Sequence, residues 1–233
     1  ASLKALFNYY DFEHDDFLNP FRKLRIRFKE PYVLPTVMTC NEVKEILKYL
    51  YKLRADNPDT GGYAYKAQTR DIAVVELLFA TGIRVSELCE LSCDAVDLKQ
   101  ATIKVFGKGS KERVIQICSV EVLKILRQYQ RLFAPSKCFF INRLGNRLSS
   151  QSVRLLIKRC REEIGMGKKI TPHSFRHTFA TLLLEEDVDI KYIQNLLGHS
   201  SITTTQIYTH VNMNKQKKIL SSKHPRKKME MEE

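Results

Sequence analysis

The 233 residues are 43% hydrophobic and 28% charged, ordinary proportions for a soluble globular protein. No apolar run approaches the roughly 18 residues of a transmembrane helix, and the opening ASLKALFNYYDFEHDD lacks the basic flank and continuous apolar stretch of a secretory signal. Lys and Arg number 39 against 26 Asp and Glu, a net charge of +13. That excess favours a polyanionic partner, and no basic amphipathic anchor or lipidation motif points to membrane lipid instead.

Leu3, Leu6, Phe7 and Tyr10 follow the i, i+3, i+4, i+7 spacing of an amphipathic helix within residues 1–18. A lone helix has nothing to pack on, so it is expected to be the last piece of an upstream domain. The first residue, Ala rather than Met, fits a fragment of a longer chain. Residues 19–38 form a basic, proline-punctuated linker (NPFRKLRIRFKEPYVLP), whose Arg22, Lys23, Arg25 and Arg27 are candidate contacts to the polyanion. The main domain is expected over residues 39–212. Thr39 is its first N-cap, with Glu42 completing a capping box, and the helix runs to about Arg54.

Residues 55–68 (ADNPDTGGYAYKAQ) read as a surface loop, 69–81 as a buried helix broken by Gly82, and Ile83 to about Leu91 as a short second helix. Alternation in VDLKQATIKVFGKGSKERVIQI predicts a three-stranded antiparallel sheet, with a tight hairpin at GKGS, residues 107–110. Helices follow at 119–133, 149–164, 171–186, 189–197 and 201–208, then a basic tail over residues 213–233. The six scattered cysteines read as reduced thiols of a cytoplasmic protein. Cys89 and Cys93 could share a helix face, but no second Cys/His pair completes a zinc set.

Arg84 in TGIRVSEL stands near a helix start, where the macrodipole disfavours a cation, and Glu87 three residues on can orient it. In TPHSFRHTFAT, Thr171 caps, Pro172 takes the first helical position, and His173 and Arg176 share a face from which both can reach one phosphate. His177 lacks the Glu of HExxH and reads as a packed supporting histidine. In LLGHSSITTTQIYTHV, Gly198 ends a helix, His199 follows it, and Tyr208 lies nine residues further.

Singly these signals are weak. Jointly, TGIRVSEL, GKGSKER, HSFRHTFAT, LLGHSSITTTQIYTHV and the terminal HPRKK resemble, in order and spacing, the tyrosine recombinase family of Xer-like and phage or transposon integrases, over about residues 20–228. The resemblance implies an α+β, mostly helical catalytic domain with a small three-stranded antiparallel sheet. It implies a site-specific recombinase that cuts and rejoins double-stranded DNA through a 3′-phosphotyrosyl intermediate and a Holliday junction, for integration or excision of a mobile element.

By the same resemblance, Tyr208 is the nucleophile, and Arg84 and Arg176 clamp the non-bridging oxygens of the scissile phosphate. His173 is the base, His199 a donor to the phosphate, and Lys108 the acid for the leaving 5′-oxygen. Lys111 and then Lys104 are the alternatives to Lys108, and Lys111 and Arg113 join Arg22, Lys23, Arg25 and Arg27 as DNA-contact candidates. Glu87 and His177 support the site. No cofactor or metal is expected, since there is no nucleotide loop and no acidic cluster for magnesium.

The implied assembly is a homotetramer on DNA, aided by accessory DNA-bending factors, with residues 213–233 forming a helix that docks on a neighbouring subunit. A type IB topoisomerase or telomere resolvase is the nearest alternative enzyme, and a catalytically silent DNA-binding regulator the alternative of another class.

Overall fold

A computed structural model describes residues 2–14, 16–21, 35–106 and 112–198. The chain divides into two compact units, Ala1–Leu34 and Pro35–Glu233. Among the described residues no helix is long and apolar enough to cross a membrane.

In the first unit, α1 (Ser2–Glu13) is followed by a short turn that brings Phe17 and Phe21 onto Phe7, with ring centroids 5.8 and 5.0 Å apart. Asn19 locks the return by donating from Nδ2 to Asn8 Oδ1 at 2.9 Å. Leu3, Leu6 and Tyr10, from the amphipathic stripe read in the sequence, are exposed. Of the expected quartet, only Phe7 is half-buried.

The second unit is organised around α3 (Tyr63–Thr81), whose Ile72, Ala73, Val74, Val75, Leu77 and Leu78 are all buried. A helix apolar on every face must be covered on every face, and α3 packs against α2 (Cys40–Ala55), α5 (Val120–Phe133) and α7 (Pro172–Glu185). The Thr39–Glu42 capping box starts α2 as its sequence requires. Ser119 and Ser149 cap α5 and α6 (Ser150–Glu163) by accepting from the backbone N–H three residues on, Val122 N and Ser152 N. Met38, just before the expected start of the domain, is buried and its N–H donates to Thr178 Oγ1 on α7 at 2.9 Å.

Two expectations are corrected. The loop expected over 55–68 is shorter, because α3 begins at Tyr63 rather than at 69. Its added first turns carry aromatic anchors: Tyr65 Oη accepts from Gln128 Nε2 on α5, and Tyr63 packs edge-on against Phe133. Asp59 closes the remaining loop by accepting from Gly61 N and Gly62 N. Cys89 and Cys93 do not share a helix, since α4 (Val85–Glu90) stops between them and Cys93 opens a separate 3-10 turn, Cys93–Ala95. All six cysteines are free thiols.

The sheet has the expected three antiparallel strands, β1 (Val96–Asp97), β2 (Thr102–Phe106) and β3 (Glu112–Gln116), in the order β1-β2-β3. Its register pairs Ile103 with Ile115 and Val105 with Arg113. Side chains alternate faces along a strand, so Ile103, Val105 and Ile115 turn into the core, while Lys104, Phe106, Glu112 and Val114 face out. The expected hairpin at 107–110, with Lys108, and Lys111 beside it lie outside the described residues. So do Arg22, Lys23, Arg25, Arg27, His199, Tyr208, the expected 201–208 helix and the tail.

Candidate active site

Four chain segments far apart in sequence meet where α3 and α8 (Ile190–Leu197) end. Each of these helices stops on a glycine in the left-handed region, Gly82 at φ 59° and Gly198 at φ 64°. Only glycine enters that region without steric cost. Space demands it as well: a Cβ on Gly82 would stand 2.6 Å from Phe179 Cδ1 and 2.8 Å from Leu197 Cδ2.

A helix C-terminus presents unpaired carbonyls and the negative end of its dipole, so it attracts cations. Three arginines answer. Arg176, on the second turn of α7 and only 4% exposed, donates from Nη1 to Gly82 O at 2.7 Å and from Nη2 to Leu197 O at 2.6 Å. Arg84, the N-cap residue of α4, donates from Nη2 to Gly198 O at 2.9 Å. Arg113, on β3, donates from Nε to Leu196 O at 3.2 Å. The unfavourable position of Arg84 at a helix start is thereby offset, because its charged end reaches the favourable terminus of another helix.

Glu87 joins two of these arginines. Its Oε1 accepts from Arg84 Nη1 at 2.7 Å and from Arg113 Nη1 at 2.9 Å. Its Oε2 accepts from Arg84 N at 3.0 Å and from Arg113 Nη2 at 2.8 Å. Burial alone would raise the pKa of this carboxyl, but the hydrogen bonds from Arg113 and Arg84 outweigh it and hold the pKa down to about 2. Glu87 is therefore a carboxylate at any working pH. Three guanidiniums against one carboxylate leave the site cationic.

His173 and His177 lie on the same helix as Arg176. Packing lowers the pKa of His173, and Arg176, Arg154 and Arg84 lower it further. His177, half-buried, is pushed down to about 4 by burial first and then by His173 and Arg176. Both rings are neutral near pH 7, and His173 is the more exposed of the two. Thr171 starts α7 as expected, with Ser174 Oγ accepting from Thr171 N, a partner the sequence reading did not name.

Of the residues expected at the site, the structure thus brings together Arg84, Glu87, His173, Arg176 and His177. Arg113, expected among the DNA-contacting cations, instead turns inward, its side chain 14% exposed and bound to Glu87 and Leu196. Lys108, His199 and Tyr208 lie outside the described residues, although His199 directly follows Gly198 in sequence. Sequence reading missed the carbonyls of Gly82, Leu197 and Gly198 as arginine partners. Backbone oxygens carry no sequence signal of their own. The glycines that end both helices were the one available hint.

A cationic cluster of carbonyl-braced arginines beside two neutral imidazoles has the chemistry to hold an anion and to accept a proton next to it. The Phage integrase family model matches residues 36–215. A protein named "Tyrosine recombinase" from Agathobacter rectalis is 48% identical over 231 residues, which cover 97% of this chain and 75% of that one. The crystal structure of XerA recombinase superposes with a TM-score of 0.67 at 30% identity, over 93% of this chain and 72% of that one. XerH site-specific recombinase, bound to palindromic difH substrate in a post-cleavage complex, superposes at 0.75 with 23% identity, over 94% of this chain and 64% of that one, and speaks to the fold alone. The chain belongs to the phage integrase family, whose members are tyrosine recombinases. These are DNA breaking-rejoining enzymes, and site-specific recombination is the activity of this protein.

Proposed function

We propose that this chain carries the strand-transfer chemistry of recombination, with Tyr208 attacking the scissile phosphate while Arg84 and Arg176 hold its non-bridging oxygens. The observation that carries the reading is the fixing of both guanidiniums by the carbonyls of Gly82, Leu197 and Gly198. Arginines braced in advance can stabilise the extra charge of a pentavalent phosphorus without reorganising, an effect worth ~10²–10³ in rate per donor. His173, neutral beside them, takes the phenolic proton of Tyr208. Lys108 gives a proton to the departing 5′-oxygen, and His199 donates to the phosphate. The products are a 3′-phosphotyrosine and a free 5′-hydroxyl, and attack by the partner strand's 5′-hydroxyl reverses each step.

Two such rounds on two DNA sites pass through a Holliday junction and use a tetramer, assembled with the help of the 213–233 tail and, on some sites, of accessory DNA-bending proteins. The biological task in this reading is integration or excision of a mobile element, carried out in the cytoplasm on nucleoid DNA. Residues 1–18 would then end an upstream DNA-clamping domain, joined by the 19–38 linker to the catalytic domain, residues 39–212.

The test is a nicked suicide substrate that loses a short 5′-hydroxyl fragment on cleavage. Full-length protein should form a covalent protein–DNA adduct in EDTA without nucleotide. An adduct that needs magnesium or zinc would replace the arginine clamp with metal chemistry.

A further inference from the structure

We propose that Arg113 is a positioning residue for strand cleavage, acting on Arg84 through Glu87 and through the end of α8, and is not a DNA contact. The inference rests on Arg84 being a phosphate ligand and goes beyond it.

Arg113 touches both anchors of Arg84. It binds Glu87 with a parallel two-pronged pair at 2.9 and 2.8 Å, the arrangement that fixes a carboxylate in both distance and plane. It also lies against the turn that ends α8. A Cβ on Gly198 would stand 2.8 Å from Arg113 Nη1 and 3.1 Å from its Cζ. Gly198 O is the acceptor that holds Arg84 Nη2. The strand register turns Arg113 to the inner face beside Ile115, opposite Val105.

Charge gives the second reason. A carboxylate bound to one guanidinium makes a neutral pair, and Arg84 would then offer a phosphate little net attraction. Sharing Glu87 between two guanidiniums leaves one positive charge on the Arg84–Glu87–Arg113 group. Arg113 thus lets Arg84 be oriented by a carboxylate without being neutralised by it.

Single-turnover cleavage of the suicide substrate by the full-length protein tests this, with an ordinary scissile phosphate and with a methylphosphonate. In the methylphosphonate one non-bridging oxygen is a methyl group, so one clamp arginine has less charge to stabilise. Arg113→Gln should slow cleavage of the phosphate by about 10–100-fold, the usual cost of losing a residue that orients a ligand. Arg113→Lys, which keeps the charge and loses the fork, should fall between. The DNA Kd and its salt slope should not change. On the methylphosphonate the defects of Arg84→Ala and Arg113→Gln should shrink together, and in a Glu87→Gln background Arg113→Gln should cost little more.

A salt slope lower by about one would make Arg113 a phosphate contact and overturn the proposal. A defect equal on both substrates, while that of Arg84→Ala shrinks, would leave Arg113 a purely structural residue and overturn it too. Wild-type cleavage by Arg84→Ala would remove the clamp reading and this inference with it.

Discussion

Arg84 begins α4, yet its Nη2 donates across 114 positions of sequence to the Gly198 carbonyl that ends α8, 2.9 Å away. Through that bond the guanidinium of Arg84 is set by Gly198, the residue immediately before His199 in sequence. Two proposed ligands of one phosphate are thereby tied to a single helix terminus.

Replacement of Arg176 should show its double task. Arg176→Lys cannot reach both Gly82 O and Leu197 O while presenting a fork to the phosphate. Cleavage should fall by roughly 10²–10³. Stability should fall too, by about 1–3 kcal/mol for each buried carbonyl left without a donor. Rate assays and urea denaturation of the same preparation measure the two effects.

The terminal glycines should not tolerate a side chain. Gly82→Ala and Gly198→Ala each place Cβ in the left-handed region, at about 1–2 kcal/mol. Gly82→Ala should cost more, because Phe179 and Leu197 are packed core groups, whereas Gly198→Ala meets the guanidinium of Arg113. Denaturation midpoints in the order wild type, Gly198→Ala, Gly82→Ala are expected.

Acid should unfold the protein partly through Glu87. Its carboxyl binds a proton less readily when folded, with a pKa of about 2 against an ordinary 4.5. The stabilisation is complete above the unfolded value and fades as pH falls towards 2. It amounts to on the order of 3 kcal/mol, given side-chain exposure of only 5%. Glu87→Gln should lower stability at neutral pH and flatten its decline between about pH 5 and 2, as read by denaturation at stepped pH.

His173 should remain a base in mildly acidic solution. Because packing and three arginines lower its pKa, its neutral form persists below the ordinary 6.5. The acid limb of kcat/KM, which reports groups of the free enzyme, should therefore have its midpoint below 6.5 and move or vanish in His173→Asn. A midpoint above 6.5 would show that His173 acts otherwise.

Most elements were legible because their ends are written in side chains. Thr39, Ser119, Ser149 and Thr171 mark helix starts, Gly82 and Gly198 mark stops, and the alternation of Ile103, Val105 and Ile115 marks the sheet. The start of α3 was not legible, since GGYAY has the composition of a loop and becomes helical only by packing Tyr63 and Tyr65 against α5. Arg84, His173 and Arg176 could be picked out by motif. The inward turn of Arg113 could not, because nothing in the sequence around a basic strand residue shows that its side chain binds Glu87.

The central claim is that Tyr208 is the nucleophile, and trapping the covalent adduct tests it most directly. Tyr208→Phe should bind the nicked suicide substrate as tightly as wild type and yield no adduct on a denaturing gel. Tyr192→Phe, altered at the exposed tyrosine of α8, should yield the wild-type amount. An adduct that survives Tyr208→Phe and disappears in Tyr192→Phe would contradict the mechanism and move the nucleophile to α8.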